Sequence, residues 1–222
     1  MSEEIKKSNE TPPVPERPKM ADCSPAGLVA LAVACFCFFP LLTGLVDGEK
    51  TFLLMGCWLA GCTLVQFTTA IVDLKNKNQL GGSTFLFFSG FFCLTGALGM
   101  LAKAGAFGAE TLGWSSKIDG WAWIALGIAV LLWTPAFFKA PGQLFLICVF
   151  LDIAVPFIVM NDLGVFAAGT PGYQAFGIIA GVCLLICGIL GLWLASATIV
   201  NNAYGRNVYP TLKPFYNPKN KE

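Results

Sequence analysis

The residues best able to do chemistry in this chain are few, and they stand among oily neighbours. The stretch KNKNQLGGSTF, Lys75 to Phe85, sets two lysines, three amides, a double glycine and a Ser-Thr pair between two apolar runs. Gly81 and Gly82 permit unusual backbone angles and close approach. Ser83 and Thr84 are good caps for a helix that starts there. The free N–H groups and partial positive charge of a helix start favour anions, and Lys75 and Lys77 add to that field. The run FLFFSGFF, which begins at Phe85, would then exclude water. A donor-lined mouth before a greasy constriction suits a small, weakly acidic, mostly apolar solute. The same residues would also make an ordinary capped helix.

Three further polar side chains fall in or beside apolar runs. Asp152, in FLDIAVPF, is the one acid near the middle of a run. An ionisable group at membrane depth is a functional hypothesis by default. Pro156, one turn on, frees a backbone carbonyl nearby. Asp152 is thus either a proton carrier or a hydrogen-bond partner for another helix. Gln66 can donate and accept, which suits a pore wall or an interhelical bond. Asp73 closes its run at the edge, where an acid is ordinary.

Other chemistries are excluded by what is missing. The chain has no histidine, so histidine proton relays, histidine metal sites and Ser-His or Cys-His catalysis are out. Of nine cysteines, eight lie in apolar runs, Cys23 being the exception, and their spacing matches no zinc pattern. Buried cysteine behaves as a small hydrophobe. Cys183 and Cys187, four apart, form at most a redox pair. No nucleophile–base pair or metal cluster is legible, so we expect no enzyme activity, no metal and no cofactor. The net charge of +1 predicts no nucleic-acid partner.

The elements that must position these groups follow from composition. Of 222 residues, 56% are hydrophobic and 12% charged, about half the charged share of a soluble domain. The membrane is the natural solvent. Six apolar segments, at 25–46, 51–72, 82–102, 121–139, 142–160 and 174–200, are each near the ~20 residues that cross a bilayer. The expected fold class is all-α, a polytopic six-helix membrane protein. The expected domains are a disordered N-terminal tail at 1–22, a transmembrane domain at 23–205 and a C-terminal tail at 206–222. Counting Lys and Arg, the side of the two tails carries 11 and the opposite side 3, which places both termini in the cytoplasm. Trp114, Trp121 and Trp123 are expected in an interfacial belt. Gly177, Gly181, Gly188 and Gly191, with Gly96 and Gly99, predict close helix packing or a subunit interface.

The stretch QFTTAIVDLKNKNQLGGSTFLFFSGFF resembles the signature of the acetate uptake transporter family, the succinate–acetate permease-like proteins. Gln66, Asn78, Gly81, Phe85 and Phe91 fall in register, and Asp73 stands where the family has glutamate. CSPAGL is similar to the end of the family's first motif, keeping Pro25, Gly27 and Leu28. NNAYGRNVYP is similar to its closing motif, keeping Asn201, Tyr204, Gly205, Arg206, Val208 and Pro210. The likeness spans 22–210.

It implies a homo-hexamer with a pore in each protomer, passing acetate and related short carboxylates such as succinate by proton symport or as a channel. By position, the family's pore-narrowing Phe, Tyr and Leu fall on Leu31, Phe88 and either Phe150 or Leu151. Asp152 and Asp73 are the candidates for proton coupling. Gln66, Gly81, Ser83, Thr84 and Phe85 are the candidates for the substrate pathway. Three departures bear on the substrate: Asp22 and Cys23 replace an Asn-Pro, Phe88 lacks the tyrosine hydroxyl, and Thr198 replaces a glutamate. The expected site is the plasma membrane, with an organelle membrane as the alternative. The competing readings are an ammonia, ammonium or small-amide conduit, and a non-transporting sensor of the same fold.

Overall fold

The computed structural model describes residues 20–108, 115 and 117–216. Most of the expected N-terminal tail, Trp114 and the last six residues lie outside that set. Among the described residues every regular element is helical, as lipid demands of a chain that must satisfy its own backbone. Six helices are long and apolar enough to cross a membrane: α1 Ser24–Leu42, α2 Gly48–Lys75, α3 Gln79–Lys103, α4 Lys117–Lys139, α5 Gly142–Leu163 and α6 Pro171–Tyr204.

Several spans outrun the apolar runs that predicted them, and polar side-chain caps set the starts of two, α3 and α6. Asn78, not Ser83 or Thr84, caps α3, accepting from the Gly81 N–H at 3.1 Å. Ser83 and Thr84 therefore lie inside the helix, and Thr84 Oγ1 donates back to the Leu80 carbonyl at 2.7 Å. Thr170 caps α6, which runs for 34 residues to Gly205, a left-handed terminator at φ 61°. At 1.5 Å per residue that is roughly 50 Å, longer than the ~30 Å hydrocarbon layer.

Helix contacts run α3–α2–α1–α6–α5–α4 around the bundle. Aromatic edges bring α3 back to α4: Phe87 on Trp133 at 5.3 Å and Phe92 on Trp123 at 6.0 Å. The result is a closed ring of helices around a central space. Trp123 thus belongs partly to the interior rather than to an interfacial belt, whereas Trp121 is 65% exposed. The centre of α3, Phe88–Leu94, is a π-helical turn. Such a turn holds an extra residue and is frequent at functional sites. Here Phe87, Phe88 and Phe92 are all buried while Phe91 faces outward.

The small-residue stripe of α6 packs inside the chain, against α1. A β-carbon on Gly177 would strike the Leu42 carbonyl oxygen, and one on Gly188 would lie 2.8 Å from the Phe36 ring. Gly96 faces Leu59 on α2, whereas Gly99 faces open space. Gly177→Ala is expected to lower the stability of the solubilised protein by about 1–3 kcal/mol through overpacking, because backbone cannot rotate away. Gly99→Ala should be neutral. Equal thermal midpoints for the two variants would contradict this packing.

Candidate functional site

A cavity of about 390 Å³ opens inside one end of the ring. Its mouth holds Asp22, Asn78 and Lys139, and its inner end is closed by Leu31, Phe88 and Leu151. Phe88 and Leu151 also wall a second, apolar cavity of about 20 Å³ that reaches Trp123 and Leu184. These two side chains therefore form the partition between the cavities. Leu31, Phe88 and Leu151 are each less than 9% exposed. Between the two candidate residues on α5, it is Leu151 that faces the cavity, while Phe150 does not line it.

Gln66 is on the cavity wall and fully buried. Its Nε2 donates to the Gly27 carbonyl at 3.5 Å, and its Oε1 accepts from Cys93 Sγ at 3.7 Å. Pore wall and interhelical bond are thus combined in one side chain. Gly27 lets α1 come this close to α2, because a β-carbon there would lie 2.9 Å from Thr69 Cγ2.

Asp73 is 3% exposed and also on the wall. Its Oδ1 accepts from Ser24 Oγ at 3.4 Å and its Oδ2 from Asn78 Nδ2 at 3.2 Å. A β-carbon on Gly81 would strike both Asp73 Oδ2 and Asn78 Nδ2. Close approach, and no unusual backbone angle, is what Gly81 contributes; the left-handed residue of this turn is Lys77, at φ 63°. The start of α3 is thus held against the protein's own carboxylate.

Of the other pathway candidates, Gly81, Thr84 and Phe85 line the cavity and Ser83 does not. Asp152 does not line it either. Its Oδ2 accepts from Thr134 Oγ1 on α4 at 2.7 Å, and its Oδ1 is buried without a hydrogen-bond partner. Among the motif residues, Leu28 and Asn78 line the cavity. Pro25 occupies the first turn of α1, and Asn201, Tyr204, Gly205 and Arg206 belong to the end of α6 and its tail.

The sequence reading missed Lys139, among the described residues the one Lys or Arg on the cavity wall. Its position in the turn KAPGQ marks it as a mouth residue only once α4 and α5 are known to flank the opening. Thr198, where the family has a glutamate, lies on the wall with its hydroxyl donated to the Leu194 carbonyl at 2.9 Å. The described residues hold no cluster of three or more metal-ligating side chains.

A sequence profile described as the GPR1/FUN34/yaaH family matches residues 6–218. No curated protein matches the chain by sequence. The solved structure of the bacterial acetate channel SatP is similar in fold at a TM-score of 0.68 and 19% identity, with 86% of this chain and 99% of that one covered.

Proposed function

Because the chain belongs to the GPR1/FUN34/yaaH family, we propose that it carries acetate and related short monocarboxylates across a membrane. The observation that supports this is a cavity whose described mouth carries one cation, Lys139, and whose inner end, its throat, is the apolar set Leu31, Phe88 and Leu151. Both comparisons point to transport and not to enzymatic turnover.

Donors for a carboxylate are scarce on the wall. The hydroxyls of Thr84 and Thr198 are committed to backbone and that of Ser24 to Asp73, which leaves, among the described residues, Lys139 and the spare amide hydrogens of Gln66 and Asn78. The anion is drawn to Lys139 at the mouth and passes the throat as the neutral acid, since a bare carboxylate in apolar surroundings costs several kcal/mol. In this reading proton symport is carried by the solute itself, with Asp73 the acid placed to exchange a proton with it. The Lys and Arg bias supports a cytoplasmic mouth; we read the assembly as a homo-hexamer, as the resemblance implies, and assign the protein to the plasma membrane.

Two acids at the mouth, Asp22 and Asp73, favour ammonium entry as the second reading. Uptake of labelled acetate, ammonia and urea into liposomes, with and without a pH gradient, separates the readings, and protein-dependent acetate uptake is the expected result. Ammonia flux alone would replace the first reading, and no flux of any of the three would leave the sensor.

Gln66→Leu is expected to lower acetate uptake about 10-fold, as losing a polar group that orients a bound solute does. Insertion and elution profile should be unchanged. Normal uptake kinetics would assign Gln66 to helix packing alone.

A further inference from the structure

The expected C-terminal tail is not loose where the structure describes it. Asn201 anchors its start, accepting from the Val208 and Tyr209 N–H groups at 2.7 and 2.8 Å and donating to the Tyr209 carbonyl at 2.9 Å. Trp193 then holds the segment to α6: its Nε1 donates to the Pro210 carbonyl at 2.9 Å and its ring stacks on Tyr209 at 5.5 Å.

From there the chain crosses to the α4–α5 turn. The Gly142 N–H donates to the Leu212 carbonyl at 3.0 Å, and the Leu212 N–H donates to Oε1 of the buried Gln143 at 3.0 Å. A β-carbon on Gly142 would lie 2.7 Å from that of Leu212, so the glycine is what lets the two strands of backbone meet. The Tyr216 N–H donates to the Phe138 carbonyl at 2.9 Å, and Lys139 Nζ lies 5.8 Å from the centre of the Tyr216 ring.

The turn held in this way is the one that supplies Lys139, Ala140 and Pro141 to the cavity mouth. We infer that residues 207–216 are a strap that ties α6 to the α4–α5 turn and holds Lys139 over the mouth, making Tyr216 a positioning residue for the entry of an anionic solute. A lysine side chain in water is flexible, and an aromatic face nearby restricts it without neutralising it. The strap thus sets apparent affinity for the anion and leaves the throat, where passage is limited, untouched. The inference rests on the transport reading for its functional half and on geometry alone for the clamp.

The test uses the full chain in liposomes. Tyr216→Ala is expected to raise the half-saturation concentration for acetate roughly threefold, the size of an exposed cation–aromatic contact, with the maximal rate unchanged. Tyr216→Phe should behave as wild type. The double variant Lys139→Gln/Tyr216→Ala should be no weaker than Lys139→Gln alone, since the tyrosine acts through the lysine. An unchanged half-saturation in Tyr216→Ala, or a fall confined to the maximal rate, would overturn the inference.

Hydrogen exchange reads the clamp separately. Asn201→Ala should speed exchange of the Gly142 amide about 10-fold by untying the strap. Exchange at the wild-type rate would defeat the clamp whether or not acetate moves. Absence of acetate flux in the wild-type protein would instead defeat the transport reading, and the functional half of the inference with it.

Discussion

Phe88→Ala is expected to raise the flux of larger monocarboxylates relative to acetate by about 10-fold, the discrimination that one or two methylenes' worth of pocket shape supplies. The ring is 8% exposed and is shared by the walls of both cavities. It is held by edges, against Phe87 at 5.3 Å and Phe92 at 5.9 Å, so neighbouring rings do not close the gap by small rotations. Truncation would join the cavity of about 390 Å³ to the one of about 20 Å³ beyond it. Phe88→Leu keeps apolar bulk and should shift the ratio less. The measurement is competitive uptake of acetate and butyrate into liposomes. A butyrate-to-acetate ratio equal to wild type in the Ala variant would mean that the throat lies elsewhere.

The second large effect is expected at Asp73. Asp73→Asn keeps an acceptor for Asn78 Nδ2, which now donates to Asp73 Oδ2 at 3.2 Å, only by turning its own nitrogen to Ser24 Oγ, which must then accept instead of donate. In a site 3% exposed, replacing two hydrogen bonds to a carboxylate by neutral ones costs about 1 kcal/mol. The single variant should therefore lose both stability and proton-driven accumulation.

The exchange Asp73→Asn/Asn78→Asp separates these losses. It returns a carboxylate to the amide–carboxylate pair, keeps an acceptor for Ser24 Oγ, and leaves a carboxylate to cap the Gly81 N–H. Stability should return, while acetate accumulation under an acid-outside gradient stays below wild type. Full recovery of accumulation in the exchanged protein would make Asp73 a structural group only. Asp152→Asn is the companion measurement: its carboxylate is turned to Thr134 and away from the cavity, so accumulation should remain at the wild-type level.

The count of spans and the helical class were legible in the sequence because they rest on the cost of burying backbone in lipid, which depends on composition and length. The resemblance on Gln66, Asn78, Gly81 and Phe85 was legible for the same kind of reason: local spacing survives in one dimension. The end of α3 was not, because Ser83, Thr84 and Asn78 are all good caps, and only the return of α2 through Lys77 selects Asn78. Phe150 and Leu151 could not be told apart by register, since a one-residue shift is a 100° turn on a helix and only packing decides which side faces the centre.

Asp152 carried the strongest signal of any acid in the sequence, yet the ring of helices turns it toward α4. Lys139 carried none, yet the same ring brings it to the mouth. Depth along a helix is written in the sequence as distance from the ends. Direction around the bundle is not, because it depends on which neighbour each face meets. The order of contacts from α3 through α1 to α4, decided by the α6 glycines against α1 and by the aromatic edges between α3 and α4, is what gave these groups their inside and outside.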